Sequence, residues 1–199
     1  LDPGLSEGHR ALGLYYYWGQ RNFGLALTEL NAAAAGRPGD PVILSSIGVV
    51  LRRQGRWEEA LEALRQAAAA DPWDSVTILD LAGTCARMRR WDEALALCGR
   101  GIELAPDDIF PYVFGARILR GRDGDLDEAR GMLERMPDKD AAQQAYFRYE
   151  QALLERDSAS AMLWLTKAGD QIADPISEEA APRALYECEC RVFAGSPGP

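Results

Sequence analysis

A proline returns at Pro3, Pro38, Pro72 and Pro106, at steps of 35, 34 and 34 residues, and whole sets of other residues travel with it. Gly13, Gly48, Ala82 and Ala116 keep the step, as do Tyr16, Leu51, Cys85 and Leu119. Further into each period come Phe23, Trp57, Trp91 and Leu126, then Ala26, Ala60, Ala94 and Ala129, then Leu30, Leu64, Cys98 and Leu133. Repetition at this step leaves little room for one central core. Each period is instead a small unit that buries its apolar face against its neighbours along a line.

Each period reads as two helices. Asp40, Asp74 and Asp108 stand just before the first helix of their periods, where a carboxylate accepts unpaired amide hydrogens and meets the positive end of the helix dipole. Pro41 follows at the first helical position, where a missing N–H costs nothing. The second helices open with Trp57-Glu58-Glu59-Ala60, Trp91-Asp92-Glu93-Ala94 and Leu126-Asp127-Glu128-Ala129, again with acids in the first turn. The small residues mark where the two helices approach most closely, so Gly48 or Ala82 should face Ala60 or Ala94. A larger side chain there would cost about 1–3 kcal/mol.

Chemistry-bearing motifs are absent. His9 is the single histidine, no phosphate-binding glycine loop or nucleophile elbow occurs, and the carboxylate pairs sit where helix starts favour negative charge. The reading is a non-enzyme with no cofactor and no metal. Cys188 and Cys190 are two apart on a predicted helix and point in different directions, which suits no metal. Cys85 and Cys98 fall at core positions and read as small buried hydrophobes, with a disulfide between them left open. Cysteine usage points to a reducing, cytoplasmic setting. The net charge of −9 argues against nucleic acid as partner, and no apolar stretch approaches the roughly 18 residues that a membrane span needs.

The 34-residue register, with small, aromatic and proline positions in this order, resembles the tetratricopeptide repeat family. That resemblance implies an all-α, right-handed α-solenoid of antiparallel helix pairs. As a single array the chain divides into repeats at about 5–38, 41–72, 75–106 and 109–137, a degenerate repeat at 141–174, and a terminal half-repeat or capping helix at 177–194. No sheet is expected; Leu1-Asp2-Pro3 looks like the tail of a preceding repeat, the last helix lacks its partner and no initiator methionine is present, so the chain reads as a segment of a longer repeat protein. Wording such as Leu12-Gly13-Leu14-Tyr15-Tyr16-Tyr17-Trp18 also resembles repeat regions of bacterial multidomain signalling proteins, which carry a kinase, cyclase or transcription-factor domain.

The resemblance further implies a non-catalytic scaffold that binds a protein or peptide on the concave face lined by the first helices. Family groove positions carried onto this chain give Arg10, Tyr17 and Trp18, then Ser45, Arg52 and Arg53, then Leu79 and Arg87. The fourth repeat adds Phe110, Val113, Arg117 and Arg120, and the fifth Tyr146. Arginine forks and aromatic anchors suit an acidic peptide. The carboxylate clamp of chaperone-binding relatives is not matched: its places carry Arg10, Leu14, Ser46, Val76 and Asp80. A rival reading is self-association, giving a homo-oligomer through exposed array ends.

Overall fold

The computed structural model describes residues 5–137, 141–168, 171–173 and 180–182. Among the described residues ten helices follow one another: α1 (Ser6–Trp18), α2 (Phe23–Gly36), α3 (Pro41–Arg53), α4 (Trp57–Ala70), α5 (Ser75–Arg87), α6 (Trp91–Leu104), α7 (Phe110–Asp123), α8 (Leu126–Glu134), α9 (Ala141–Leu154) and α10 (Ser158–Ala168). Odd and even helices pair through short turns, so α1 lies on α2, α3 on α4, and so on to α9 on α10. The chain forms two compact units, Leu1–Ala105 with α1 to α6 and Pro106–Pro199 with α7 to α10.

Local chemistry places the helix ends. Asp40 accepts from the amides of Val42 and Ile43 at 3.0 and 3.3 Å, with Pro41 opening α3, and Asp74 accepts from Val76 at 3.1 Å. At the third site the cap shifts by one residue. Ile109 stands at the N-cap of α7 while Asp108 still accepts from the Phe110 amide at 2.9 Å. The turn from the odd to the even helix needs one left-handed residue, and it falls at Arg21, Gly55, Arg89, Gly124 and Arg156. Two glycines take this conformation at little cost; three arginines hold it against their Cβ atoms.

Packing inside each pair repeats atom for atom. A Cβ built on Gly13 would lie 2.7 Å from Leu30 Cγ and 3.2 Å from the Ala26 carbonyl oxygen. A Cβ on Gly48 would lie 2.6 Å from Leu64 Cγ and 3.2 Å from the Ala60 carbonyl oxygen. Leu30, Leu64, Ala26 and Ala60 are fully buried, so nothing there can step aside. The next pair carries Ala82 and Cys98 at the same two register positions: the first residue grows as its partner shrinks.

Packing between pairs uses the other face of the odd helices. Ile43, Ile47 and Val50 of α3 join Leu30 and Ala33 of α2 in one buried cluster with Tyr17 and Ala26. Ion pairs clasp the joint from α3–α4 to α5–α6 on both sides: Arg52 with Asp80 at 2.8 Å between odd helices, Arg65 with Glu93 between even ones. The second unit repeats the device, with Arg117 and Arg120 on Glu150, and Arg130 on Glu155 at 2.9 Å.

Two corrections concern the end of the described chain. Gln171–Ala173 (β1) and Ala180–Pro182 (β2) form a short antiparallel pair, so a sheet is present. β2 also stands inside the helix read at 177–194. Pro182 has no N–H and its ring disfavours the helical conformation at Ala181, which explains extended backbone there. The remainder of that reading lies outside the described residues, as do Cys188 and Cys190.

Candidate functional site

In the first unit, the odd helices α1, α3 and α5 present the residues proposed from the sequence. A hollow of about 320 Å3 opens there, lined by Leu14, Tyr17 and Trp18 from α1, Ser45, Ser46, Val49, Val50, Arg52 and Arg53 from α3, and Asp80 from α5. Trp18 is 63% exposed at its edge, while Tyr17 beneath is 3% exposed and meets the Trp18 ring edge-on at 4.7 Å. The buried ring fixes the exposed one, which is how a recognition surface acquires a rigid aromatic anchor.

Three arginines stand along this face, in different electrostatic states. Arg52 is spent internally: it donates to the Asp80 carboxylate at 2.8 Å and to the Asp80 carbonyl at 3.1 Å. Arg53 donates from Nε to the Tyr17 hydroxyl at 3.1 Å, and Arg87 donates to the Gly83 carbonyl at 3.0 Å. Among the described residues neither forms an ion pair. Burial, and then the neighbouring charges of Arg52 and Arg53, hold the Arg87 pKa below the ordinary arginine value, with Asp80 opposing. The guanidinium remains charged at neutral pH. Its depressed pKa reports a group that would gain from an added anion.

Other proposed positions separate by burial. Leu79 and Val113 are 9% and 1% exposed, so these two family groove positions belong to the core. Arg10 is half-buried on α1. In the second unit Arg117 and Arg120 share Glu150 at 3.5 and 3.4 Å, and Arg117 also lies over the Phe147 ring. Phe110 and Tyr146 are half-buried, with the Tyr146 ring against Phe147 at 5.4 Å. Sequence reasoning missed a second hollow, between α8, α9 and α10, where Arg148 stacks on Trp164 at 4.8 Å and its Nε lacks an acceptor. It also missed the carboxylates that quench Arg52 and Arg117. The 28-residue step from Arg52 to Asp80, repeated from Arg65 to Glu93, carried that signal.

No group of three potential metal ligands occurs among the described residues. Cys85 and Cys98 are free and buried, and burial pushes their thiols up to about 11 and about 12, far from nucleophilic. None of their helices is long and apolar enough to cross a membrane.

The sequence profile described as Tetratricopeptide repeat matches residues 51–113. Over those residues the chain matches tetratricopeptide repeats. Its helical solenoid fold is shared with solved structures at low identity. One, from the functional characterisation of Pseudomonas aeruginosa pilF, is 19% identical with a TM-score of 0.69, covering 98% of this chain and 83% of that one. A thermophilic TPR protein of Thermus thermophilus is 18% identical with a TM-score of 0.66, covering 96% and 97%. The first TPR of Spaghetti (RPAP3), bound to an HSP90 peptide, is 16% identical with a TM-score of 0.56, covering 60% and 94%. Curated protein sequences give no match. Tetratricopeptide repeats suggest a scaffold for protein–protein interaction, and proteins of this fold are typically non-catalytic.

Proposed function

We propose that the tetratricopeptide repeats bind an extended peptide segment of a partner protein across α1, α3 and α5, with an acidic residue next to an apolar one. One observation carries this reading: Arg53, a cationic guanidinium without a carboxylate partner, lines a hollow edged by the exposed Trp18 ring, and a second such group, Arg87, stands on the next odd helix. Arginine supplies forked donors to a carboxylate, and indole supplies contact area at little entropic cost. That a Spaghetti repeat domain is bound to an HSP90 peptide supports the same mode here. The chain's own groove residues point to other ligand details, since Asp80 and the 65%-exposed Val76 stand where a chaperone clamp would need amide or ammonium donors. Free, buried thiols at Cys85 and Cys98 suit a reducing compartment, which supports a cytoplasmic site of action.

The test is a peptide array of aromatic–acidic segments read by fluorescence anisotropy. Tight binders should lose affinity when Arg53 and Arg87 are both changed to Glu, with an unchanged helical spectrum. Binders that ignore that change, or that compete with nothing on α1, α3 and α5, would refute the site.

A further inference from the structure

The residue that follows the repeated positions Tyr16, Leu51, Cys85 and Leu119 is Tyr17, Arg52, Ala86 or Arg120. On α3 and α7 this place sends a guanidinium to a carboxylate of the next odd helix: Arg52 reaches Asp80 at 2.8 Å, and Arg120 reaches Glu150 at 3.4 Å. On α1 the same place reaches the next odd helix through a phenol. Arg53 of α3 donates from Nε to the Tyr17 hydroxyl at 3.1 Å. The acid is gone as well, since the register counterpart of Asp80 on α3 is Ser46. A phenol is neutral at physiological pH, so this tie holds Arg53 without neutralising it. The tie is firm at its Tyr17 end. Tyr17 is 3% exposed, and its ring sits in the buried cluster, 5.7 Å from Phe23 and 4.7 Å from Trp18. One side chain thus touches both parts of the surface: its ring supports Trp18, and its hydroxyl holds Arg53.

We propose that Tyr17 is the positioning residue of the site on α1, α3 and α5, fixing Trp18 and Arg53 in one arrangement that recognises an apolar side chain and an adjacent carboxylate as a pair. This rests on the peptide-binding reading above. An arginine already held by its Nε loses less side-chain freedom when a carboxylate arrives, so the acid adds more to affinity. The two terminal nitrogens of Arg53 still match the two oxygens of a carboxylate. A carboxylate in place of the phenol would have taken up that charge, as Asp80 does for Arg52.

Fluorescein-labelled peptides carrying Phe-Glu, Phe-Gln or Ala-Glu between Gly-Ser flanks test this by anisotropy on the full chain. The wild type should bind the Phe-Glu peptide about tenfold more tightly than either of the others. Tyr17→Phe keeps the ring and removes the hydroxyl. Its preference for Glu over Gln should fall to about threefold or less, while Phe-Gln binding and the helical spectrum stay as in the wild type. In an Arg53→Gln background, itself without the preference, Tyr17→Phe should change nothing further. Arg53→Lys, an exposed change that keeps the charge but lacks the Nε held by Tyr17, should lose the preference too. A Tyr17→Phe or Arg53→Lys chain that keeps the full preference overturns the positioning role while the site stands. So does a Tyr17→Phe chain that loses Phe-Gln binding as much as Phe-Glu binding. A wild type without either preference, or an Arg53→Gln chain that retains the preference for Glu, overturns the site itself and the inference with it.

Discussion

Replacing Gly48 by Ala isolates the contact on which the helix pairs are built. Two opposing effects are at stake. Alanine in a helix interior is favoured over glycine by about 0.8–1 kcal/mol, because it restricts the unfolded chain and favours helix. Against this, the new Cβ would sit 2.6 Å from Leu64 Cγ and 3.2 Å from a backbone oxygen of α4. Overpacking of a filled core costs about 1–3 kcal/mol. The net expectation is a loss of about 0–2 kcal/mol in urea unfolding followed by circular dichroism. Gly99→Ala is the matched control, since a Cβ there meets nothing within 4 Å and the same propensity gain should appear alone. The decisive variant copies the pair found one step along the chain, Ala82 with Cys98. In a Leu64→Cys background the clash is removed, and Gly48→Ala should become neutral or stabilising. The double-mutant cycle should therefore show a coupling of at least about 1 kcal/mol. Additive effects, or a Gly48→Ala variant as stable as Gly99→Ala, would refute the steric account.

Other expectations follow from the same contacts. Asp80→Ala removes the carboxylate held by Arg52; it should cost about 1–2 kcal/mol in denaturant and tighten binding of an acidic peptide, both measurable on one preparation. Arg89→Gly relieves a left-handed residue at φ 59° and should raise the unfolding free energy by about 0.5–1 kcal/mol, whereas Gly55→Arg should lower it. Cys85 and Cys98, raised by burial from an ordinary 9.0 to about 11 and about 12, stay protonated in the fold while the unfolded chain ionises them. Their contribution is fully present below pH 9 and is lost as pH rises through these folded values, so stability should fall over that window. In the native state, mass spectrometry should find neither of the two alkylated at pH 8.

The helical framework was legible because its chemistry is local and repeated. Asp40 and Asp74 announce helix starts through bonds to amides two or three residues away, and Gly48 announces a close approach because Gly13 does the same one period earlier. Less legible were features that depend on what lies opposite. The positions of Leu79 and Val113 suggest a groove, but only three-dimensional packing shows them filled from both sides. Arg52 and Arg53 are adjacent in sequence, yet one faces a carboxylate on the next helix pair and the other a phenol on the previous one. At 180–182 a signal was present and outweighed: Pro182 marks extended backbone, against a run of alanine and glutamate that favours helix.

The ion pairs that clasp each joint have a mechanical meaning. Arg52–Asp80 bridges consecutive odd helices while Arg65–Glu93 bridges the even helices behind them, so one joint is tied on both edges. Bending it either way must stretch one tie. Whatever each pair adds to folding energy, two of them on opposite edges stiffen an angle. The spacing between α3 and α5, and with it the reach between Arg53 and Arg87, then behaves as a spring whose constant falls as salt screens the ties. A stretched molecule in an optical trap should extend more easily at high ionic strength well before any helix unravels.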